Sequence, residues 1–399
     1  MHRVRALIPG AMVVALSCAL SACGGGSAGS ASSGGSSTGV AGATGALYAM
    51  TSLVSNSSAI SALHTDANLV NAWGLAFNPQ GFAWVSNQGS STSTLYDGNG
   101  VLNPPYSGGP SSIGIAPGVS GVAQPTGIVF NPTTQFVISS GANSAPALFL
   151  YATIGGTIEG WAQAVNPNSA VIVHDNGASG STYTGLTMAK DASGNYFLYA
   201  ADFKNARVDV FNSSFIPTQV GGGFFDAAVP QGYAPYGIQN IPASDGSARI
   251  YVTFAQPVTT AQHVAMGTGL GYVSVFDAQG TLVTHLISQG ALNAPWAVAM
   301  APSNFGSLSG ALLIGNFGDG TINAYNPSTG ASMGPLMLTS TQQLVIPGLW
   351  ALQFGNGINS QPANTLFFTA GPNSESAGEY GRIDVGGASS GTMSGTPGY

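Results

Sequence analysis

The chain has 399 residues, 44% apolar and only 5% charged, with 58 glycines and a formal net charge of −7. With so few cations there is no basic stripe to neutralise phosphates, which excludes a nucleic-acid binder. Both cysteines, Cys18 and Cys23, lie in the first 23 residues, so the rest of the chain has no thiol, disulfide or cysteine metal site.

Arg3 and Arg5 form a basic start, Ala6 to Ala19 is an apolar stretch short of a membrane span, and Leu20-Ser21-Ala22-Cys23 closes it. This resembles a bacterial lipoprotein signal. The resemblance implies acylation of Cys23, removal of the residues before it, and attachment to a membrane through the N-terminal lipid. With Gly24 following the cysteine, it implies a lipid-anchored protein of the cell envelope, sorted to the outer membrane. Loss of Arg3 and Arg5 leaves five basic residues against fourteen acidic ones. Residues 24–46 are almost wholly Gly, Ser, Ala and Thr, a composition that cannot bury a core and is expected to act as a flexible tether. Residues 386–399 read as a disordered tail of the same kind, leaving residues 47–385 as one domain.

Within that domain six apolar runs open on a similar pattern: Trp73-Gly74-Leu75, Thr126-Gly127-Ile128, Thr184-Gly185-Leu186, Tyr236-Gly237-Ile238, Trp296-Ala297-Val298 and Trp350-Ala351-Leu352. Their second residues recur at intervals of 52 to 60. A repeat of this length predicts a β-propeller, all-β, with six blades of four antiparallel strands. In the first blade Gly74 to Phe77 is the inner strand, Phe82 to Ser86 the second and Ser93 to Tyr96 the third, with Asn78-Pro79-Gln80-Gly81 and Asp97-Gly98-Asn99-Gly100 as turns. The last blade has an inner strand, a second strand at Thr365 to Thr369 and a third at Arg382 to Val385. One outer strand is missing. Leu47 to Ser55 has no blade of its own, so this N-terminal strand is expected to complete the last blade and close the ring.

Several stretches resemble an uncharacterised family of exported bacterial six-repeat propellers: Asp66 to Gly74, Leu312 to Gly320, Gly348 to Gly357 and Phe367 to Asn373. A more distant likeness to NHL-type and lactonase-type propellers is one of architecture. The resemblance implies the fold and brings no established activity.

In an antiparallel blade the start of the inner strand and the end of the second strand share one end of the sheet. Aligned this way, the repeats give two rings on one face. Trp73, Thr126, Thr184, Tyr236, Trp296 and Trp350 stand at the inner-strand entrances; Asn87, Ser140, Asp202, Phe254, Asn316 and Ala370 stand at the second-strand ends. The expected ligand-binding residues are Trp73, Asn87, Asp202, Tyr236, Trp296, Asn316 and Trp350, an aromatic and amide-rich mouth suited to a neutral polar ligand such as a glycan, or to an envelope protein. The loops from Pro257 to Thr268 and from Gly371 to Tyr380 would shape selectivity. The competing reading packs the tryptophans between blades and sets the amides in turns.

Catalysis is weakly signalled. His64, His174, His263 and His285 fall outside both rings, and no G-x-S-x-G elbow precedes a helix. A divalent cation near Asp202 would have one carboxylate and two amides, a poor ligand set, so no cofactor or metal is expected. The sequence reading is therefore a lipid-anchored envelope propeller acting as a non-catalytic binding or scaffolding module. Its alternatives are a metal-assisted hydrolase or lactonase-like enzyme using the mouth, and an inert envelope spacer with a sealed mouth.

Overall fold

A computed structural model describes residues 47–258 and 264–386. Cys23, the tether, the tail beyond residue 386 and His263 lie outside the described residues. Six antiparallel blades follow one another around an axis. Their inner strands are Ala72–Phe77, Pro125–Phe130, Tyr183–Lys190, Ala234–Asn240, Pro295–Met300 and Leu349–Phe354, one for each opening of the sequence repeat. The fourth strand of blade 3 is reduced to a bridge between Phe211 and Pro217. The N-terminal strand Tyr48–Ser55 pairs antiparallel with Glu379–Val385, from Tyr48 opposite Val385 to Ser55 opposite Glu379. It supplies the fourth strand of blade 6 and closes the ring.

The repeated opening has a geometric cause. In all six blades the register between the inner and second strands slips at or beside the Gly or Ala position, for example between Tyr183 and Gly185 and between Pro235 and Gly237. The slips turn the chain where inner strands crowd around the axis. A Cβ on Gly74 would sit 2.1 Å from the Thr126 carbonyl oxygen, and one on Gly237 2.0 Å from that of Trp296. No side chain fits there. Threonines stitch the same region, Thr126 Oγ1 donating to Tyr183 O (2.7 Å) and Thr184 Oγ1 to Tyr236 O (2.7 Å).

Blade 2 departs from the sequence reading. Val137–Ser140 is not its second strand but half of a separate hairpin with Asn143–Pro146, and the second strand is Phe149–Thr153. A second strand is covered on both faces by neighbouring blades and must be apolar or satisfied at every position. Phe149–Thr153 is buried throughout, whereas Val137 is 50% exposed. The ring position assigned to Ser140 therefore belongs to Thr153, which pairs with Pro125. Glu159 lies inside the third strand of this blade, Thr157–Trp161.

Candidate functional site

Four of the expected aromatic residues converge at the axis. Trp73 stacks on Trp350 with centroids 3.5 Å apart and planes 14° off parallel; Phe317 stacks on Trp350 at 4.1 Å. Trp296 meets both tryptophans edge-on, at 6.5 and 6.1 Å, and its Nε1 donates to Thr184 O (2.9 Å). Tyr236 lies 6.1 Å from Trp350 and 4.8 Å from Phe203. Trp73 and Trp350 are 4% and 1% exposed. The mouth is thus filled by a packed aromatic plug. Above it remains a cavity of about 30 Å³ bounded by Trp73, Gln88, Tyr236, Val264, Phe317 and Glu375, among others, which is space for about one water.

A polar cap sits on this plug. Asn71 holds a left-handed backbone (φ 46°). Its Oδ1 accepts from Trp350 Nε1 (2.8 Å), while its Nδ2 donates to Gln88 Oε1 (3.0 Å) and Glu375 Oε2 (2.9 Å). Glu375 is delivered by an unusual turn in which Asn373, Ser374 and Glu375 all have positive φ (55°, 53° and 65°). That turn is tied by Glu375 N to Gly371 O and by Ala377 N to Pro372 O. Consecutive left-handed residues that are not glycine carry backbone strain, which persists where the surroundings fix it. Burial first, and the Glu375 charge second, push the Tyr236 hydroxyl well above its ordinary range. Asn71, Gln88 and Glu375 were absent from the sequence-derived set; the one available signal was the position of Glu375 within the mouth-side loop from Gly371 to Tyr380.

The polar members of the predicted rings lie elsewhere and do not bound the central cavity. Asp202 is fully buried, its Oδ1 accepting from Thr182 N (3.1 Å) and Asn205 N (3.3 Å) and its Oδ2 from Asn205 Nδ2 (2.7 Å), with Arg207 Nη2 at 3.4 Å. It caps a turn, and donors surround it where a cation would need acceptors. Asn87 Nδ2 donates to Thr92 and Thr94 Oγ1, and Asn316 Nδ2 donates to Ala291 O and Thr321 Oγ1. Among the described residues the Oδ1 atoms of both asparagines, and Trp73 Nε1, are buried without a hydrogen-bond partner. No group of three or more His, Cys, Asp or Glu able to hold a metal occurs among them either.

Fold and site together define a six-bladed β-propeller with an aromatic-sealed axis under a polar cap. No family model matches the chain. It is 34% identical over 329 residues to the uncharacterized protein R648 of Acanthamoeba polyphaga mimivirus, covering 80% of this chain and 75% of that one. It is 33% identical over 310 residues to the uncharacterized protein L690 of the same virus, covering 75% and 77%. The chain belongs to the family of these proteins. These relatives are viral, where the resemblance read in the sequence implied a bacterial family. Among solved structures, a structural genomics protein of unknown function from Bacteroides thetaiotaomicron has a TM-score of 0.51 at 10% identity, covering 84% of this chain and 76% of that chain. Virginiamycin B lyase from Staphylococcus aureus has a TM-score of 0.43 at 11% identity, covering 84% and 99%. These likenesses concern the fold alone.

Proposed function

We propose that the chain is a lipid-anchored propeller of the cell envelope that serves as a binding or scaffolding module, engaging a protein partner across the face that carries the polar cap. The observation that carries this reading is the strained Asn373–Glu375 turn, which holds Glu375 beside Asn71 and Gln88 over the aromatic plug. A cavity of about 30 Å³ admits neither a sugar nor a drug-sized ligand. Recognition therefore falls to the surface, where the part-exposed Glu375 carboxylate and Gln88 amide, braced from beneath by the buried Asn71, present directed polar contacts. Lipidation at Cys23 would tether the domain to the membrane through the Gly/Ser segment.

A photo-crosslinking amino acid placed at Glu375 in the full-length chain, and in parallel at the exposed Asn326 on the opposite face, tests the proposal in cells of the source. A discrete adduct from position 375 and none from 326 is the expected result. Equal adducts from both positions overturn it. The sealed mouth also favours a second reading, an inert envelope spacer, which predicts no discrete adduct from either position.

A further inference from the structure

Away from the central cap, on blade 4, three side chains make a linear hydrogen-bonded array. His285 Nδ1 lies 2.6 Å from Asp226 Oδ2, and His285 Nε2 lies 2.6 Å from Ser288 Oγ. Asp226 is buried, the His285 side chain is 23% exposed, and Ser288 is exposed. Asp226 is further fixed by Ser274 Oγ, donating to Oδ2 (2.6 Å), and Ala228 N, donating to Oδ1 (2.8 Å). Burial opposes its charge, but these bonds and the one from His285 together hold its carboxyl below the ordinary range. An ionised carboxylate only accepts, so the proton of a neutral His285 resides on Nδ1. Nε2 is then left as the acceptor for the Ser288 hydroxyl.

Local sequence alone would not align these groups. Residues three apart on a strand point to opposite faces. Here Val273 pairs with Ile287 while the next residue, Ser274, pairs with His285, so Leu286 is an extra residue, and this bulge brings His285 and Ser288 onto one side. Asp226 arrives on a segment that runs up the flank of the blade: Phe224 N bonds Gly280 O at the lower turn, and Tyr233 packs on Tyr272 at the upper end. Tyr272 is the cross-strand partner of Ser288 and lies 6.1 Å from His285. Phe225, beside Asp226, is 72% exposed. Directly after Ser288 the chain turns left-handed at Gln289 (φ 53°) and Gly290 (φ 58°).

We infer that Ser288, His285 and Asp226 form a nucleophilic triad that hydrolyses carboxylic esters with an apolar acyl or aryl group, at the rim of the face where the inner strands begin. Ser288 Oγ bonds to the ester carbonyl carbon while its proton passes to His285 Nε2. The carbon–oxygen bond to the alcohol then breaks, and the alcohol oxygen takes that proton. Water, deprotonated by His285, attacks the acyl-serine, releasing the carboxylic acid and restoring the Ser288 hydroxyl. Asp226 keeps the imidazole in the required tautomer. Gln289 N is committed to Gly271 O and Leu292 N to Gln289 O, so in the turn after Ser288 it is the N–H groups of Gly290 and Ala291 that are assigned to the developing oxyanion. The part-exposed ring of Tyr233, backed by the buried Tyr272, and the exposed Phe225 supply the apolar contact. This site is independent of whatever binds the polar cap.

The test is reaction of the full-length protein with a fluorophosphonate probe, read by intact mass and peptide mapping, in the wild type, Ser288→Ala and His285→Gln. One adduct, on Ser288, is expected. Ser288→Ala should lose it with unchanged thermal midpoint, since the side chain is exposed, and His285→Gln should slow labelling about 100-fold or more. Absence of a Ser288 adduct in the wild type overturns the inference, as does His285→Gln labelling at the wild-type rate, which would leave the array a purely structural tie.

Discussion

Glu159 is completely enclosed between blades 1 and 2, where Thr157 Oγ1 donates to its Oε1 (2.9 Å) and Ala116 N to its Oε2 (3.2 Å). Burial disfavours its charged form more than these bonds favour it, and Asp175 adds repulsion, so the carboxyl is pushed up from 4.5 to about 7. A carboxyl with its folded value above its unfolded value binds its proton more tightly in the folded state. Its effect on folding is therefore most favourable below about pH 4.5, worsens as pH rises toward 7, and is constant above that. The separation corresponds to a loss of about 3 kcal/mol. Glu159→Gln preserves the shape and removes the ionisation, while an amide fails to reproduce one of the two accepting oxygens at a cost of about 1 kcal/mol. At pH 8 the variant should thus be more stable than wild type by about 2 kcal/mol, and by pH 4.5 the order should reverse. Urea midpoints of the full-length proteins across this range provide the assay. Other titrating groups are common to both proteins, so the difference curve isolates Glu159. A difference that stays flat from pH 4.5 to 8 refutes the burial argument.

Two further perturbations test the axis. Gly74→Ala places a methyl 2.1 Å from the Thr126 carbonyl oxygen, which is backbone and cannot rotate away; a loss of about 3 kcal/mol or more is expected from overpacking, read as a lowered thermal midpoint. Trp350→Phe keeps an aromatic ring in the plug but leaves Asn71 Oδ1 without its indole donor. It should lose about 1–3 kcal/mol, short of the 3–5 kcal/mol expected for Trp350→Ala, as measured by denaturant unfolding.

Of the strands given bounds from the sequence, most were legible to within a residue or two, the last starting at Glu379 and not at Arg382, because each blade is a local construction. Leu312–Asn316 and Leu366–Ala370 are short apolar runs set off by turn residues, and the inner strands announce themselves by an aromatic or Thr followed by Gly or Ala. Blade 2 was misread because Val137–Ser140 is as β-branched as a true second strand. Only the requirement for burial on both faces separates it from Phe149–Thr153. In the predicted mouth, residue type was a fair guide to the tryptophans, which do meet at the axis, and a poor one to Asp202, Asn87 and Asn316. The side chains of these three turn inward to serve their own blades. His285 was passed over because it belongs to neither ring, and nothing in the sequence reveals the bulge at Leu286.

The sequence by itself determined the number of blades, the direction of the chain through them and closure by the N-terminal strand, since these follow from periodicity and from one strand missing at the end. Tertiary structure alone decided what stands next to what. Asn71 reaches Trp350 across 279 residues and Glu375 across 304, and Asp226 reaches His285 across 59. Such meetings depend on ring closure, on register slips that rotate side chains between faces, and on a left-handed turn at residues 373–375. Each of these is set by packing around the axis and between blades, not by any local pattern of residues.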